Sequence, residues 1–376
     1  MSKLASSVRS IPQMRPGAFF ESHKSETAAA IQRVIESGWY ILGEEVQSFE
    51  REFCTHFHFA HAAGVANGTD AIAIALRSLG VGSGDRVATV SHTATATVAA
   101  IEMVGARPVF VEIDPKSYTI SPASLARTLE AFDSIKAVIA VHLFGHPADI
   151  PAIAEIAQPL GVHVIEDCAQ AHGAMLHGQF VGSMSNISAF SFYPTKNLGA
   201  LGDGGMVVTS DNALVKRVRM LREYGWDRRY VSEFAGVNSR LDELQAAILR
   251  IRLPRLDAGN GRRAEIAAQY DQGLAETGLT LPEVMEGATH VYHQYVVRHP
   301  NRNRLREQLQ RRGVGTNIHY PVPVHRQPAF ASRCEMDPGG LKVTESYANE
   351  ILSLPMYPEL SQDEVDAVIC AVRESL

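Results

Sequence analysis

Short runs of apolar, β-branched residues alternate along most of the chain with longer segments in which apolar residues recur at helical spacing. The short runs predict strands and the longer segments predict helices. Because the strands are apolar throughout and helices separate them, the pattern predicts a mostly parallel sheet with helices on both faces. The predicted strands are 85–91, 107–114, 136–145, 161–167, 187–193 and 205–210, and the predicted helices include 25–38, 68–80, 93–105 and one that starts at Ser121-Pro122.

The pattern changes near Pro254. A long helix over 240–256 leads into shorter mixed elements, with a strand at 290–300, a basic amphipathic helix at 301–313 and a terminal helix at 361–376. We therefore expect a large α/β domain over residues 1–255 and a smaller C-terminal α+β domain over residues 256–376.

Composition narrows the class of protein. The 376 residues are 45% hydrophobic and 20% charged, with a formal net charge of −6, which is typical of a globular protein. This balance gives no reason to expect a nucleic acid or a membrane surface as partner. The N-terminal residues lack the apolar run of a signal peptide, and the four cysteines suggest no disulfide framework, so we expect a cytoplasmic protein.

One cluster of potential metal ligands comprises Cys54, His56, His58 and His61 in "FCTHFHFAH". The run alternates aromatic with polar residues, which predicts a half-buried strand or the entry into one. No second ligand pair has the spacing of a zinc motif, so the sequence predicts no metal site.

Lys196 lies in the unusual segment "SFYPTKNLGALGDGG", residues 191–205. Four glycines follow the lysine, at 199, 202, 204 and 205. Such a density of glycine indicates tight turns, positive φ or backbone pressed against a ligand.

Other polar groups are predicted to lie close to this lysine. Asp167 ends one apolar strand, Ser191 ends another, and Gly68-Thr69 opens a helix whose first amides can bind phosphate. Ligands bind beyond the carboxyl ends of parallel strands, where these groups meet. A lysine, an acid and a phosphate-binding helix suit pyridoxal 5′-phosphate. The spacing alone does not single out this cofactor, because many α/β enzymes place acids at strand ends.

The residue identities in several segments resemble those of a known protein family. "SFYPTKNLGALGDGG" resembles the cofactor-lysine segment of the DegT/DnrJ/EryC1/StrS family, the sugar-nucleotide aminotransferases among the fold-type-I pyridoxal-phosphate enzymes. Six further segments extend the resemblance over nearly the whole chain: 37–53, 64–76, 164–174, 238–249, 318–330 and 351–360. The segments "SHTATATVAAIE", "VHLFGHPADI" and "EDCAQAHGA" most resemble the branch that acts on dTDP-3-keto-6-deoxyhexoses.

The resemblance implies roles for residues of the cofactor site. Lys196 would bind the cofactor covalently, Asp167 would pair with the pyridinium nitrogen, and Gln170 would lie beside the phenolic oxygen. The residues implied for the phosphate are Gly68, Thr69 and Ser191, together with Asn238, which would reach the cofactor of a neighbouring subunit. The last assignment implies a homodimer with shared active sites.

The implied substrate side is less constrained. His319, Tyr320 and His325 match a substrate-side segment of the family, although a structured proline-rich turn explains the same residues. Relatives often cover the cofactor ring with an aromatic residue where this chain has Ala94. Either His92 or another side chain covers the ring, or this face of the site is shaped differently. We expect segment 222–230 to lie near the nucleotide.

The resemblance implies that L-glutamate donates its amino group, through pyridoxal and pyridoxamine phosphate, to a dTDP-linked 3-keto-6-deoxyhexose. The products would be a dTDP-3-amino-3,6-dideoxyhexose and 2-oxoglutarate. Members with histidine at the position of Lys196 are dehydratases, so the lysine favours amino transfer. Amination at C4, a pyridoxal-phosphate-dependent dehydratase and a noncatalytic sugar-nucleotide sensor remain as alternatives.

Overall fold

A computed structural model describes residues 10–376. The helices are α1 Ala18–Ser22, α2 Lys24–Ser37, α3 Glu44–Phe57, α4 Gly68–Ser78, α5 Thr95–Met103, α6 Pro122–Ala131, α7 Ile150–Ala157, α8 Asn212–Leu221, α9 Glu243–Arg252, α10 Leu256–Leu274, α11 Arg302–Arg311, α12 Lys342–Glu350 and α13 Gln362–Arg373. The strands are β1 His61–Val65, β2 Arg86–Val90, β3 Arg107–Val111, β4 Ile135–Val141, β5 His163–Asp167, β6 Met175–Leu176, β7 Gln179–Phe180, β8 Ile187–Ser191, β9 Gly205–Thr209, β10 Trp226–Arg228, β11 Val231–Ser232, β12 Ala288–Thr289, β13 Tyr295–Arg298, β14 Glu335–Met336 and β15 Ile351–Leu354.

The main sheet has eight strands in the order β1-β9-β8-β5-β4-β2-β3-β14. Strands from β8 to β14 run parallel, and β9 is antiparallel to both of its neighbours. Successive residues of one strand enter different cores: Val207 packs in one cluster and Val208 in the other. Both faces are therefore covered, and the predicted α/β fold with a mostly parallel sheet is confirmed.

A separate hydrophobic cluster lies in the C-terminal part of the chain. There β13 pairs antiparallel with β15, and Tyr270 and Tyr295 pack with residues of α11 and α13. The predicted helix over 240–256 is observed as α9 followed by a 3₁₀ turn at Leu253–Arg255, and α10 begins at Leu256. The α-helix stops before Pro254 because proline has no N–H to continue its hydrogen bonds. The domain boundary at residue 255 stays a prediction. Within residues 10–376, no helix combines the length and the apolar composition needed to cross a bilayer.

The strand predicted across "FCTHFHFAH" is wrong for all but its last residue, and the alternative, the entry into a strand, describes its end. Helix α3 continues to Phe57, His58 adopts a left-handed φ of 59°, and the strand β1 begins only at His61. Phe49, Phe53 and Phe57 recur every four residues and pack on one face. The helical period decided this segment, and the alternation near its end reflects the change from helix to strand.

Candidate active site

Lys196 lies in the turn that follows β8. Its backbone N–H donates a 2.8 Å hydrogen bond to the Tyr193 carbonyl, which closes the turn. Burial lowers the pKa of the Lys196 amine to about 8, and the Asp167 carboxylate opposes this shift. The amine is thus partly neutral near physiological pH, as a nucleophile must be.

The glycines after Lys196 permit close packing rather than unusual turns. Their φ angles lie outside the left-handed region. A Cβ on Gly199 would lie 2.5 Å from the Pro194 carbonyl oxygen, and one on Gly205 would lie 2.4 Å from that of Asn67. The lysine segment is therefore pressed against its own turn and against the residue that precedes α4.

Asp167 ends β5 between two parallel neighbours, opposite Val141 of β4 and Ala189 of β8. Its carboxylate accepts hydrogen bonds from the Thr97 hydroxyl at 2.9 Å and from the Ala169 N–H at 3.1 Å. Burial raises the pKa of Asp167, while these hydrogen bonds and the charge of Lys196 act to lower it. A buried carboxylate is costly without a cationic partner, so Asp167 fits the role of holding a protonated ring nitrogen.

The N-terminus of α4 offers free amides beside Ser191. The Asn67 side chain caps the Asp70 amide at 2.8 Å, and its carbonyl accepts the Ala71 amide. Within residues 10–376 the amides of Gly68 and Thr69 donate to no protein acceptor, so both can serve a ligand. A Cβ on Gly68 would lie 2.6 Å from the Ser191 Cβ, so these two predicted phosphate residues are brought together.

Gln170 links the predicted cofactor and substrate residues. Its Oε1 accepts the Phe144 N–H at 2.7 Å, and its Nε2 donates to the Tyr320 hydroxyl oxygen at 3.1 Å. Burial raises the pKa of Tyr320 to about 12. His319 contacts the Ser353 hydroxyl at 2.8 Å, and burial lowers its pKa to about 4 with a further contribution from Lys196. Both substrate candidates are therefore uncharged at neutral pH.

Two predicted histidines are enclosed by protein. His325 contacts the Ser91 hydroxyl at 2.7 Å and Glu345 at 2.9 Å, so both ring nitrogens are occupied. His92 is fully buried against Phe144, its ring nitrogens have no partner within residues 10–376, and burial lowers its pKa to about 4. Their roles toward substrate and cofactor ring stay predictions.

Asn238 stands on the surface, while the next residue is anchored inside. The buried Ser239 hydroxyl donates to Asp70 Oδ2 at 2.6 Å and accepts the Ala66 N–H at 3.0 Å. Asn238 is thereby fixed close to the first turn of α4. An exposed side chain on an anchored stretch of backbone suits a contact with a second subunit, and that contact stays a prediction.

A cavity of about 310 Å³ lies beside the lysine turn, and neither Asp167 nor Gln170 lines it. Burial lowers the pKa of both Arg252 and Arg263 to about 10, and Glu359 opposes the shift in each. The charged residues that line the cavity are Arg15, Lys196, Arg252, Arg255, Arg263 and Glu359, with His23 also at the wall. Because cations outnumber the single carboxylate, the cavity beside Lys196 is electropositive.

Within the described residues, one group of three buried side chains has the spacing of metal ligands: His142, Glu166 and Cys168. His142 Nδ1 accepts the Ala148 N–H at 2.9 Å, so the ring proton is on Nε2, which donates to Glu166 at 3.1 Å. Both imidazole nitrogens are occupied, and His142 and Glu166 form a structural hydrogen bond rather than a vacant metal site. The Cys54 and His56 cluster is not such a group.

Sequence reasoning missed Thr97, Asn197 and Asn260. Thr97 lies in the "TATAT" run, and its spacing of four residues from the equally buried Thr93, which places both on one face of the predicted helix over 93–105, was a usable signal. Asn197 directly follows the lysine, and its Nδ2 donates to Asn260 Oδ1 at 2.9 Å. Nothing local to residue 260 indicates that contact.

The chemistry gathered at the carboxyl edge of this sheet defines an enzyme of the type I aminotransferase fold that works with pyridoxal 5′-phosphate. The residues present fit that cofactor, since a buried acid, a partly neutral lysine and the two free amides of Gly68 and Thr69 meet there. Residues 21–373 match the model of the DegT/DnrJ/EryC1/StrS aminotransferase family, and the chain belongs to this family.

Individual relatives are similar along their whole length. The chain is 47% identical to a dTDP-3-amino-3,4,6-trideoxy-alpha-D-glucose transaminase of Streptomyces venezuelae, covering 97% of this chain and 96% of that one. It is 46% identical to the erythromycin biosynthesis sensory transduction protein EryC1 of Saccharopolyspora erythraea, covering 96% and 99%. The crystal structure of S. venezuelae DesV in complex with a ketimine intermediate superposes with a TM-score of 0.94 at 46% identity, covering 97% and 98%.

Proposed function

We propose that this aminotransferase moves the amino group of L-glutamate to C3 of a dTDP-linked 3-keto-6-deoxyhexose. The observation that carries the proposal is Lys196, a partly neutral amine next to the buried Asp167. A histidine at this position would favour dehydration, whereas a lysine suits reversible amino transfer. The similarity to a dTDP-3-amino sugar transaminase along the whole chain supports the nucleotide and the C3 position.

The cofactor, when bound, supplies an electron sink that stabilises the charge developed when a C–H bond beside the amine ionises. Lys196 would hold and return the proton as general base and acid. Asp167 would keep a negative charge beside the ring nitrogen. The amides of Gly68 and Thr69 and the hydroxyl of Ser191 would hold the phosphate.

The enzyme works as a homodimer with shared sites in this proposal. An apolar surface surrounds the start of α9: Ile41 pairs with Asp242, Gln245 binds the Leu201 amide, and Leu244 lies between them. Ile41, Leu201 and Leu244 are each more than 40% exposed. Such clustered apolar side chains suit a contact between subunits. Asn238 then reaches the phosphate of the partner's cofactor.

The nucleotide side of the proposal rests on a small exposed hairpin of β10 and β11. Arg228 and Arg229 are exposed there, and the Arg229 guanidinium lies 5.0 Å from the ring centroid of Tyr230. Arginine suits a diphosphate, and an exposed aromatic ring suits a base. Tyr320, held by Gln170, and His319 present uncharged polar groups to the sugar.

The test separates the two half-reactions. Purified protein reconstituted with pyridoxal 5′-phosphate receives L-glutamate alone, and the near-visible spectrum is followed. We expect loss of the yellow band and growth of the pyridoxamine-phosphate band at shorter wavelength. A yellow protein indifferent to glutamate would exclude this donor and favour a dehydratase or a sensor.

The second half-reaction identifies the sugar. The pyridoxamine-phosphate form receives dTDP-3-keto-6-deoxyglucose, its 4-deoxy analogue, a dTDP-4-keto-6-deoxyhexose or a UDP-linked 3-keto sugar. We expect return of the yellow band with the dTDP-3-keto sugars, and Lys196→Ala serves as the inactive control. Return only with the 4-keto sugar would overturn the C3 assignment, and return only with the UDP sugar would overturn the nucleotide.

A further inference from the structure

Asn197, the residue after Lys196, has every polar position of its amide engaged. Its Nδ2 donates to Asn260 Oδ1 at 2.9 Å and to the Val291 carbonyl at 3.0 Å. Its Oδ1 contacts His293 Nδ1 at 3.2 Å. Two oxygen partners fix the side of the amide that carries nitrogen, so His293 must donate from Nδ1. The turn that bears Lys196 is therefore tied to two distant segments.

Asn260, on the first turns of α10, continues the connection to the loop that carries the acid. Its Nδ2 donates to the His172 carbonyl at 2.8 Å. The loop makes room for this contact at Gly173, which has a φ of 85°, since a Cβ there would lie 2.8 Å from Asn260 Nδ2. The loop from Asp167 to Gly173 thus bends around the amide of Asn260.

The segment of Val291 and His293, the other partner of Asn197, connects to the loop from Asp167 to Gly173 through Phe144. The Val291 amide donates to the Gly145 carbonyl, and the Gln294 amide donates to the Phe144 carbonyl. Phe144 in turn donates its own amide to Gln170. Asn197 therefore holds the lysine turn against Asn260 and against the segment of Val291, and each of these contacts the loop that follows Asp167, directly or through Phe144.

We propose that Asn197 and Asn260 form a pair of positioning residues that sets the placement of Lys196 relative to Asp167. Neither amide needs to touch the cofactor or a substrate, because the pair acts through the backbone turn of Lys196 and the His172 carbonyl. Amino transfer needs the lysine amine and the acid at opposite ends of one bound ring. A displacement of about 1 Å between such groups costs on the order of 10²-fold in rate.

The test uses three single variants and one double variant of the full chain. Asn260→Ala removes both contacts, and Asn260→Asp keeps the acceptor for Asn197 but loses the donor to His172. Asn197→Ala removes the lysine side of the pair. Tyr270→Phe is the matched control, since it lies on the same helix, is fully buried and removes only the hydrogen bond to the Pro355 carbonyl.

The first readout is capture of pyridoxal 5′-phosphate by the apo-protein, followed by absorbance across pH, which requires no substrate. We expect both Asn260 variants and Asn197→Ala to slow capture at least tenfold and to move its pH midpoint, whereas Tyr270→Phe leaves both near wild type. The Asn197→Ala/Asn260→Ala double variant should be no slower than the slower single variant, because both act through one connection.

Turnover supplies a second readout in the reconstituted enzyme. We expect kcat to fall about 10²-fold in the Asn260 variants while KM stays within about threefold. Asn260→Asp keeps the proposal testable if Asn260→Ala fails to fold. If the variants lose thermal stability but capture the cofactor with the wild-type rate and pH midpoint, the proposal is wrong and the pair is only a structural contact. The capture readout is independent of the donor and sugar, so it separates this proposal from the proposed function.

Discussion

The Thr97 hydroxyl donates a 2.9 Å hydrogen bond to Asp167 Oδ2, and it also contacts the Thr93 hydroxyl at 3.0 Å. Thr97 lies on the first turn of α5, and Asp167 ends β5. A donor on the carboxylate stabilises its charged form, against the burial that raises the pKa of Asp167. Thr97 therefore helps to keep the acid ionised for its cationic partner.

Thr97→Val should move the acidic limb of the activity profile to higher pH. The substitution keeps the shape but removes a hydrogen bond to a charged group, which contributes about 1.5–3 kcal/mol. The pKa of Asp167 rises, so the glutamate half-reaction slows about tenfold or more at low pH and recovers as pH rises. Thr97→Ser, which keeps the hydroxyl, is the control. A Thr97→Val profile that overlays the wild type would exclude this role.

Lys196→Ala should lose turnover by about 10²–10⁴-fold or more, because it removes both the covalent attachment and the proton-transfer group. Single-turnover kinetics with glutamate measures the loss. Cofactor binding should persist in weaker, noncovalent form through the phosphate contacts. Lys196→Arg, which keeps a charge but never a neutral amine, should be equally inactive. Appreciable activity in either variant would contradict the assignment.

Capture of the cofactor by the apo-protein should depend on pH through Lys196. Burial lowers the pKa of the amine to about 8, so the neutral nucleophile is depleted below that pH. The capture rate should fall about tenfold per pH unit below 8 and level off above it. In Asp167→Asn the opposing charge is lost, so the midpoint should move to lower pH. Stopped-flow absorbance measures both, and a midpoint near 10.5 would contradict the buried amine.

The positions of the strands were predictable, and their long-range contacts were not. The predicted strand 187–193 is observed at Ile187–Ser191, and 205–210 is observed at Gly205–Thr209. Apolar runs and the rule that parallel strands end at one edge sufficed to bring Lys196 near Asp167. Thr97 lies 70 residues from Asp167, and Asn260 lies 63 residues from Asn197. Hydrophobic periodicity shows which face of a helix or strand is buried, but it does not show which distant residue that face contacts.

The glycines after Lys196 likewise combine a feature that the sequence predicted with contacts that it did not. Their density correctly marked the segment after Lys196 as unusual, and close approach was one of the reasons offered for it. Only the structure shows that Gly205 faces the Asn67 carbonyl, because that contact depends on how β9 packs beside the start of α4. The helical course of 53–57 was missed because Phe57, His58 and Phe59 alternate apolar with polar, which conceals the four-residue spacing of the phenylalanines before them.

Glu166→Gln should destabilise the fold. The buried carboxylate accepts hydrogen bonds from His142 Nε2 at 3.1 Å, from the Gly182 amide at 2.7 Å and from the Met184 amide at 3.0 Å. A glutamine turns an N–H₂ toward a donor and leaves buried hydrogen-bonding groups unsatisfied, which costs about 1–3 kcal/mol. Urea unfolding of the apo-protein measures this loss. A change below about 1 kcal/mol would contradict the network.

The same network gives the wild type a pH dependence of stability. Burial acts to raise the pKa of Glu166, but the hydrogen bonds from His142 and Gly182 lower it below the usual value. The stability that ionised Glu166 contributes to the fold is therefore fully present above the pKa of this residue in the unfolded chain. It is lost as pH falls through its lower pKa in the folded protein. The difference in stability between wild type and Glu166→Gln should accordingly shrink in acid.

Gly68→Ala should weaken the fold and the affinity for the cofactor together, because the new Cβ would lie 2.6 Å from the Ser191 Cβ. Overpacking of this kind costs about 1–3 kcal/mol. Ser191→Gly in the Gly68→Ala background should recover most of the stability, since it removes the clashing atoms. It should not recover the affinity, because the hydroxyl is lost from the phosphate site.

Gly261→Ala is the matched control for that pair. Gly261 lies in α10 with open space where its Cβ would be, so alanine should stabilise the helix by about 0.5–1 kcal/mol. Thermal unfolding of the apo-proteins and titration with pyridoxal 5′-phosphate measure the two quantities separately. Additive stability effects of Gly68→Ala and Ser191→Gly would mean that the residues do not touch. Affinity restored in the double variant would mean that Ser191 contributes shape rather than a hydrogen bond to the phosphate.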